Sequence, residues 1–205
     1  LPDAPVLPLW IAGRAYLTLP PDFHDVVSAI DGRVLRRTPL CGENAAREAL
    51  FAAQAALPAW LALAAEARAA LIATLADALA GYAEHFTALI CEEDAATPAQ
   101  AREEVEAAIF LLRTAKPDAC AGVASVVGAA HHPLRGPLAL AVPALLAGAT
   151  VVVRPAPQTP SAQLACAELA TRCDFPPGVI NVVYGGEELI AVLRAQSAQC
   201  LVGAR

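Results

Sequence analysis

The spacing of apolar residues changes character near the middle of the chain. In the first half it repeats mostly with the period of helices. In the second half, short β-branched runs alternate with helical segments. The clearest case is Leu138 to Pro160, LALAVPALLAGATVVVRPAPQTP. Leu138, Leu140, Ala141, Leu145 and Leu146 recur at roughly helical spacing, and Gly148 stops that helix where a left-handed residue is needed. Thr150, Val151, Val152 and Val153 follow with no polar alternation, as a central parallel strand would. Arg154 and Pro155 end the strand. Arg154 is therefore expected at its carboxyl end, the edge of an open α/β sheet where ligands bind.

Around this kernel the second half reads β-α-β-α-β-α-β. A strand is expected over Gly122–Val127, a helix over Ser161–Cys173 with Leu164, Cys166 and Leu169 apolar, and a strand over Val179–Val183. Gly185-Gly186 opens a helix over Glu187–Ala195, and Cys200-Leu201-Val202 begins a last strand. The alternation implies a parallel sheet with right-handed crossovers. In the first half, Leu9–Leu19 and Asp25–Leu40 suggest short strands, with a hairpin at Asp31-Gly32. A helix starts near Glu43 and Asn44, carries Ala46, Leu50, Ala53 and Leu57 on one face, and is expected to break at Pro58. Further helices are expected over Ala64–Leu79, Tyr82–Glu93 and Pro98–Arg113. The fold expected is α/β: a Rossmann-like open parallel sheet with helices on both faces and an amino-terminal helical layer. Residues 1–8 read as a linker or tail, 9–116 as the hairpin and helices, and 117–205 as the Rossmann-like units.

Composition narrows the function classes. The apolar share is 57% and only 17% of residues are charged. Alanine supplies much of the apolar share, which favours a helix-rich globular chain. The net charge of −6 and the scattered arginines argue against a nucleic-acid surface. Gly136–Val153 carries no charge and reaches the lower length for a membrane span, about 18 residues. Pro137, Pro143 and Gly148 interrupt it, and the valine run favours a strand instead of a span. The chain has no methionine and starts at Leu1, so it reads as a piece of a longer polypeptide. LPDAPVLPLW lacks the basic end and apolar run of a signal peptide.

Candidate chemistry is sparse. The six cysteines lack metal-binding spacing and read as reduced, mostly buried thiols in a cytoplasmic protein. Glu103, Glu104 and Glu106 form a carboxylate cluster whose expected role is a solvated helix face near an amino end. His131 and His132 are adjacent, with no third ligand evident, and read as loop residues that cap or hydrogen-bond. Arg154 has two readings, a salt-bridged strand end or a contact to an anion or nucleotide. No residue is assigned as catalytic or as a metal ligand.

VVVRPAPQTP, a helix, and then FPPGVINVVYGG together resemble the coenzyme-binding domain of the aldehyde dehydrogenase superfamily, whose members run VVVKPSEQTP and PPGVxNVVxG in the same order. Upstream, GRAYLTLP, IDGRVLRRTPL, ALPAW and EEVEAAIFLLR are also similar. The resemblance implies binding of NAD or NADP, with Arg154, Pro155, Gly185, Gly186 and Gly203 at the coenzyme positions. Arg154 stands where the family has a ribose-binding lysine, and Pro157 where it has a glutamate. His131 occupies the position of the family's oxyanion asparagine in WNFP. Ala204 replaces the usual serine of FTGS, and the oligomerisation insertion after Cys120 is shortened.

Members of the family carry, after this domain, a catalytic domain with a cysteine nucleophile and a glutamate base, and the resemblance places neither residue within these 205 positions. The lost motif residues at Pro157 and His131, the shortened insertion and the missing methionine favour a degenerate domain, in which coenzyme binding is expected to be weakened or lost. Its expected role is structural or docking, against another domain of the same polypeptide or an aldehyde dehydrogenase subunit. The alternatives are a working NAD(P)-binding half of an active enzyme that oxidises an aldehyde to a carboxylate, and a free-standing nucleotide-binding or regulatory module.

Overall fold

The computed structural model describes residues 4–203. Ala204 lies outside the described residues. Eight strands and seven helices are present among them: β1 (Leu9–Ile11), β2 (Arg14–Tyr16), β3 (Phe23–Val27), β4 (Val34–Pro39), α1 (Glu43–Ala62), α2 (Ala65–Gly81), α3 (Ala83–Glu93), α4 (Pro98–Thr114), β5 (Val123–Val127), α5 (Arg135–Ala147), β6 (Thr150–Arg154), α6 (Ser161–Arg172), β7 (Ile180–Val182), α7 (Glu187–Gln196) and β8 (Gln199–Val202).

The central sheet runs β2-β1-β7-β6-β5-β8. Its four strands β7, β6, β5 and β8 are parallel, as the alternating pattern predicts. In chain order these are third, second, first and fourth, one half of a doubly wound fold with its switch point between β5 and β8. The segment Leu9–Leu19 joins this sheet, whereas Asp25–Leu40 does not. β1 and β2 form their own hairpin and extend the parallel strands antiparallel to β7. Asn181 secures the join, accepting from the Ala12 amide at 3.1 Å. β3 and β4 form a separate two-stranded sheet around the expected Asp31-Gly32 turn. Val6 and Leu7 pair with Arg37 of β4.

Helices cover both faces. α1 and α7 pack on one, α5 and α6 on the other, with α2, α3 and α4 as an outer layer behind α5 and α6. The helical first half is thus divided between the two faces. Gly148 ends α5 at φ +101°, the left-handed conformation a glycine adopts freely. Two carbonyls of that last turn are bound from outside: Trp60 Nε1 donates to Leu145 at 3.1 Å and Arg68 Nε to Leu146 at 3.2 Å.

The expected break at Pro58 is absent. α1 runs through it to Ala62. Pro58 lies on the exposed side, so its missing amide is not a buried loss, and continuation brings Trp60 onto the face of Ala53 and Ala56. There Trp60 is fully buried and stacks on Phe175 at 5.7 Å between ring centroids. The packing outweighs the proline. Among the described residues, no single helix is long and apolar enough to cross a membrane. The charge-free stretch at Gly136–Val153 divides into α5 and β6, with most of its side chains buried.

Candidate functional site

The carboxyl edge of β5, β6, β7 and β8 collects most of the expected site residues. Arg154 ends β6, half-buried. Its Nε and Nη2 both donate to the carbonyl oxygen of Gly185, at 3.0 and 2.8 Å. Burial pulls the guanidinium below the usual arginine range, and the charge of Glu187 opposes that shift. The salt-bridge reading of Arg154 is not borne out: no ion pair forms at it among the described residues. A backbone carbonyl takes that place.

Gly185 has a packing reason to be glycine. A Cβ there would sit 2.3 Å from the Cys41 carbonyl oxygen and 2.8 Å from Leu189. Gly186 is the exposed cap of α7, ahead of Glu187 and Glu188 in its first turn. Pro155 is buried and Pro157 half-buried. Gly203 belongs to a different part of the edge. It follows β8, on the far side of β5 from Arg154, where its amide donates to Val127 at 2.9 Å. Arg154, Pro155, Gly185 and Gly186 thus come together, and Gly203 stands at the switch point.

The loop after β5 carries the histidines. His131 and His132 lie on the rim of an open cleft of about 480 Å³, which is also lined by Asp94, Gln100, Glu103, Glu104 and Arg135. Here the reading of Glu104 as a solvated carboxylate is overturned. Glu103 and Glu106 are exposed, but Glu104 is 7% exposed. It shares the apolar face of Ala101, Val105, Ala108 and Leu112. Its Oε1 accepts from the Arg135 amide at 2.8 Å, and its Oε2 lies 2.8 Å from His132 Nδ1. His132 fits the expected hydrogen-bonding role, with φ +58°.

Sequence reasoning missed a second buried carboxylate. Glu93, at the end of α3, is 6% exposed. It accepts from the Ser161 amide at 3.1 Å, from Ser161 Oγ at 2.5 Å and from Arg36 Nη1 at 2.9 Å. Burial raises its pKa above 4.5, against the Ser161 hydrogen bonds and the Arg36 charge. The signal was available: Glu93 continues the spacing of the buried Phe86 and Ile90 on α3. Neither α5 nor α6 has a side-chain cap of its own, since Leu134 and Pro160 precede them. Glu104 and Glu93 supply both from the outer layer. Helix amino ends of this kind favour anions, and here protein carboxylates already fill them.

The six cysteines are all free. Burial lifts the thiol of Cys41 to about 11 and that of Cys166 to about 12. Both stay protonated at neutral pH and lack the thiolate a nucleophile needs.

Comparison with known proteins agrees with this architecture. A model of the aldehyde dehydrogenase family matches residues 20–120 and 117–201. Succinate-semialdehyde dehydrogenase [NADP(+)] GabD of Escherichia coli K12 is 35% identical over 183 residues, which cover 78% of this chain and 38% of that protein. Lactaldehyde dehydrogenase from Escherichia coli superposes with a TM-score of 0.85 at 27% identity, over 93% of this chain and 45% of the other. Aldehyde dehydrogenase C (C291A) from Pseudomonas syringae, solved with NAD+ and octanal, gives a TM-score of 0.82 at 26% identity, over 93% and 43%. The chain spans about two fifths of the length of the curated relatives it matches. Sequence motifs, strand order and these likenesses agree: the chain belongs to the aldehyde dehydrogenase family.

Proposed function

We propose that this chain is a degenerate aldehyde dehydrogenase-like domain with a structural or docking role inside a larger NAD(P)-dependent enzyme, and that it performs no catalysis alone. The observation that carries this reading is the engagement of Arg154. Its Nε and Nη2 are spent on Gly185, and Pro157, at the expected ribose position, has no side-chain acceptor. Both features weaken the fit to a nucleotide ribose. The filled amino ends of α5 and α6 remove two further anion-binding positions, and no thiolate is available at Cys41 or Cys166. The docking partner is another domain of the same polypeptide or an aldehyde dehydrogenase subunit. Free thiols fit a cytoplasmic setting.

A second reading, a working NAD(P)-binding half, is favoured by one observation. The crevice between β5 and β8 keeps the geometry of a ligand-binding switch point, bounded by Gly128 and Gly203. Several family members that this chain resembles bind NAD+ or NADP. Calorimetric titration of the 205-residue chain with NAD+ and NADP+ separates the two. No heat of binding from a folded sample is the expected result. Saturable sub-millimolar binding that Arg154→Ala weakens would establish the second reading.

A further inference from the structure

We propose that Glu104 is a positioning residue that stands in for an anionic ligand at the start of α5, and so fixes the loop that carries His131. This concerns the β5–α5 loop alone and is independent of whether coenzyme binds.

The groups around the Glu104 carboxylate make up an anion site. They are the first amide of a 13-residue helix, Arg135, at 2.8 Å; an imidazole nitrogen, His132 Nδ1, at 2.8 Å; and a guanidinium nitrogen, Arg135 Nε, at 3.5 Å. Such groups converge on bound carboxylates and phosphates. Here the anion comes from α4, is buried, and takes the place of the cap that Leu134 cannot provide.

The consequence for the loop is geometric. Glu104 grips it at His132 and at Arg135, on either side of the buried Pro133 and Leu134. It holds His132 in a left-handed conformation that a non-glycine residue rarely adopts. His131 immediately precedes this clamped segment and lines the cleft. The other charged groups on the cleft wall are Asp94 and Glu103, both carboxylates. With the helix end already neutralised, the cleft as built disfavours anionic ligands.

The test is chemical rescue followed by amide hydrogen exchange of the whole chain, with acetate as the probe. Glu104→Ala is expected to speed exchange at Arg135, Gly136 and Leu138 by about tenfold or more, the loss of one charge-assisted hydrogen bond. Acetate should restore protection in Glu104→Ala while leaving wild type and Glu104→Gln unchanged. Val105→Ala, a change at the neighbouring buried position on α4, should not loosen the loop selectively. The proposal is overturned if Glu104→Ala keeps wild-type protection, if Val105→Ala loosens these amides equally, or if acetate restores nothing. Should Glu104→Ala fail to fold, the refolded yield with and without acetate becomes the readout. A yield that depends on acetate supports the proposal, and failure regardless of acetate overturns it.

Discussion

Arg154 and Gly185, 31 positions apart, are joined by a forked hydrogen bond in which two guanidinium nitrogens share one carbonyl oxygen. It ties the end of β6 to the turn that opens α7. Hydrogen bonds to charged groups contribute about 1.5–3 kcal/mol. Arg154→Ala is therefore expected to lower unfolding free energy by about 2 kcal/mol, measured by urea denaturation. Arg154→Lys should recover only part of that, because an ammonium cannot reproduce the fork. A neutral effect of Arg154→Ala would remove the structural role assigned to this residue.

Glu93 predicts an unusual pH dependence. Its pKa is raised in the folded chain by burial. Between the ordinary value of 4.5 and its folded value, the native state holds more protons than the unfolded one. Its contribution to stability is therefore fully present below 4.5 and is lost as pH rises through the folded pKa. The stability difference between wild type and Glu93→Gln should shift in favour of wild type as pH falls from neutrality toward 4.5. Paired denaturation curves across that window check the sign, and a difference that moves the other way would refute it.

Pro58→Ala should stabilise the chain. Proline inside a helix costs about 3 kcal/mol relative to alanine, and part of that is already relieved by its exposed position within α1. A gain of about 1 kcal/mol or more is expected, read as a higher thermal midpoint.

Trp60 has the opposite expectation. Trp60→Ala removes a fully buried ring, its stack on Phe175 and its hydrogen bond to the Leu145 carbonyl. A loss of about 3–5 kcal/mol follows from the cavity alone. Trp60→Phe should keep most of the packing and lose the hydrogen bond, at a cost of about 1–2 kcal/mol. Near-equal stabilities for the two variants would show that the indole nitrogen contributes most of the effect.

Legibility followed the range of the interactions involved. The valine run at Val151–Val153, the left-handed stop at Gly148 and the β-α alternation are local signals, and each predicts its element. Placement of Arg154 at a strand end is local as well. Its partner is not, because a carbonyl 31 positions away carries no side-chain signature. Glu104 shows the same limit in a sharper form. Three carboxylates near a helix start look alike by charge, and only their rotation about α4 separates the buried one from its exposed neighbours. At Pro58 a strong local rule lost to the burial of Trp60, two residues further on.

Helix α5 is gripped at both ends by side chains from the first half of the chain: Glu104 at its amino end, Trp60 and Arg68 at its carboxyl end. Recombination that moved the parallel strands without the preceding helices would deliver α5 with frayed amides at one end and bare carbonyls at the other. A crossover between the two halves would therefore unfasten both ends of α5, however natural the change in pattern there makes it look.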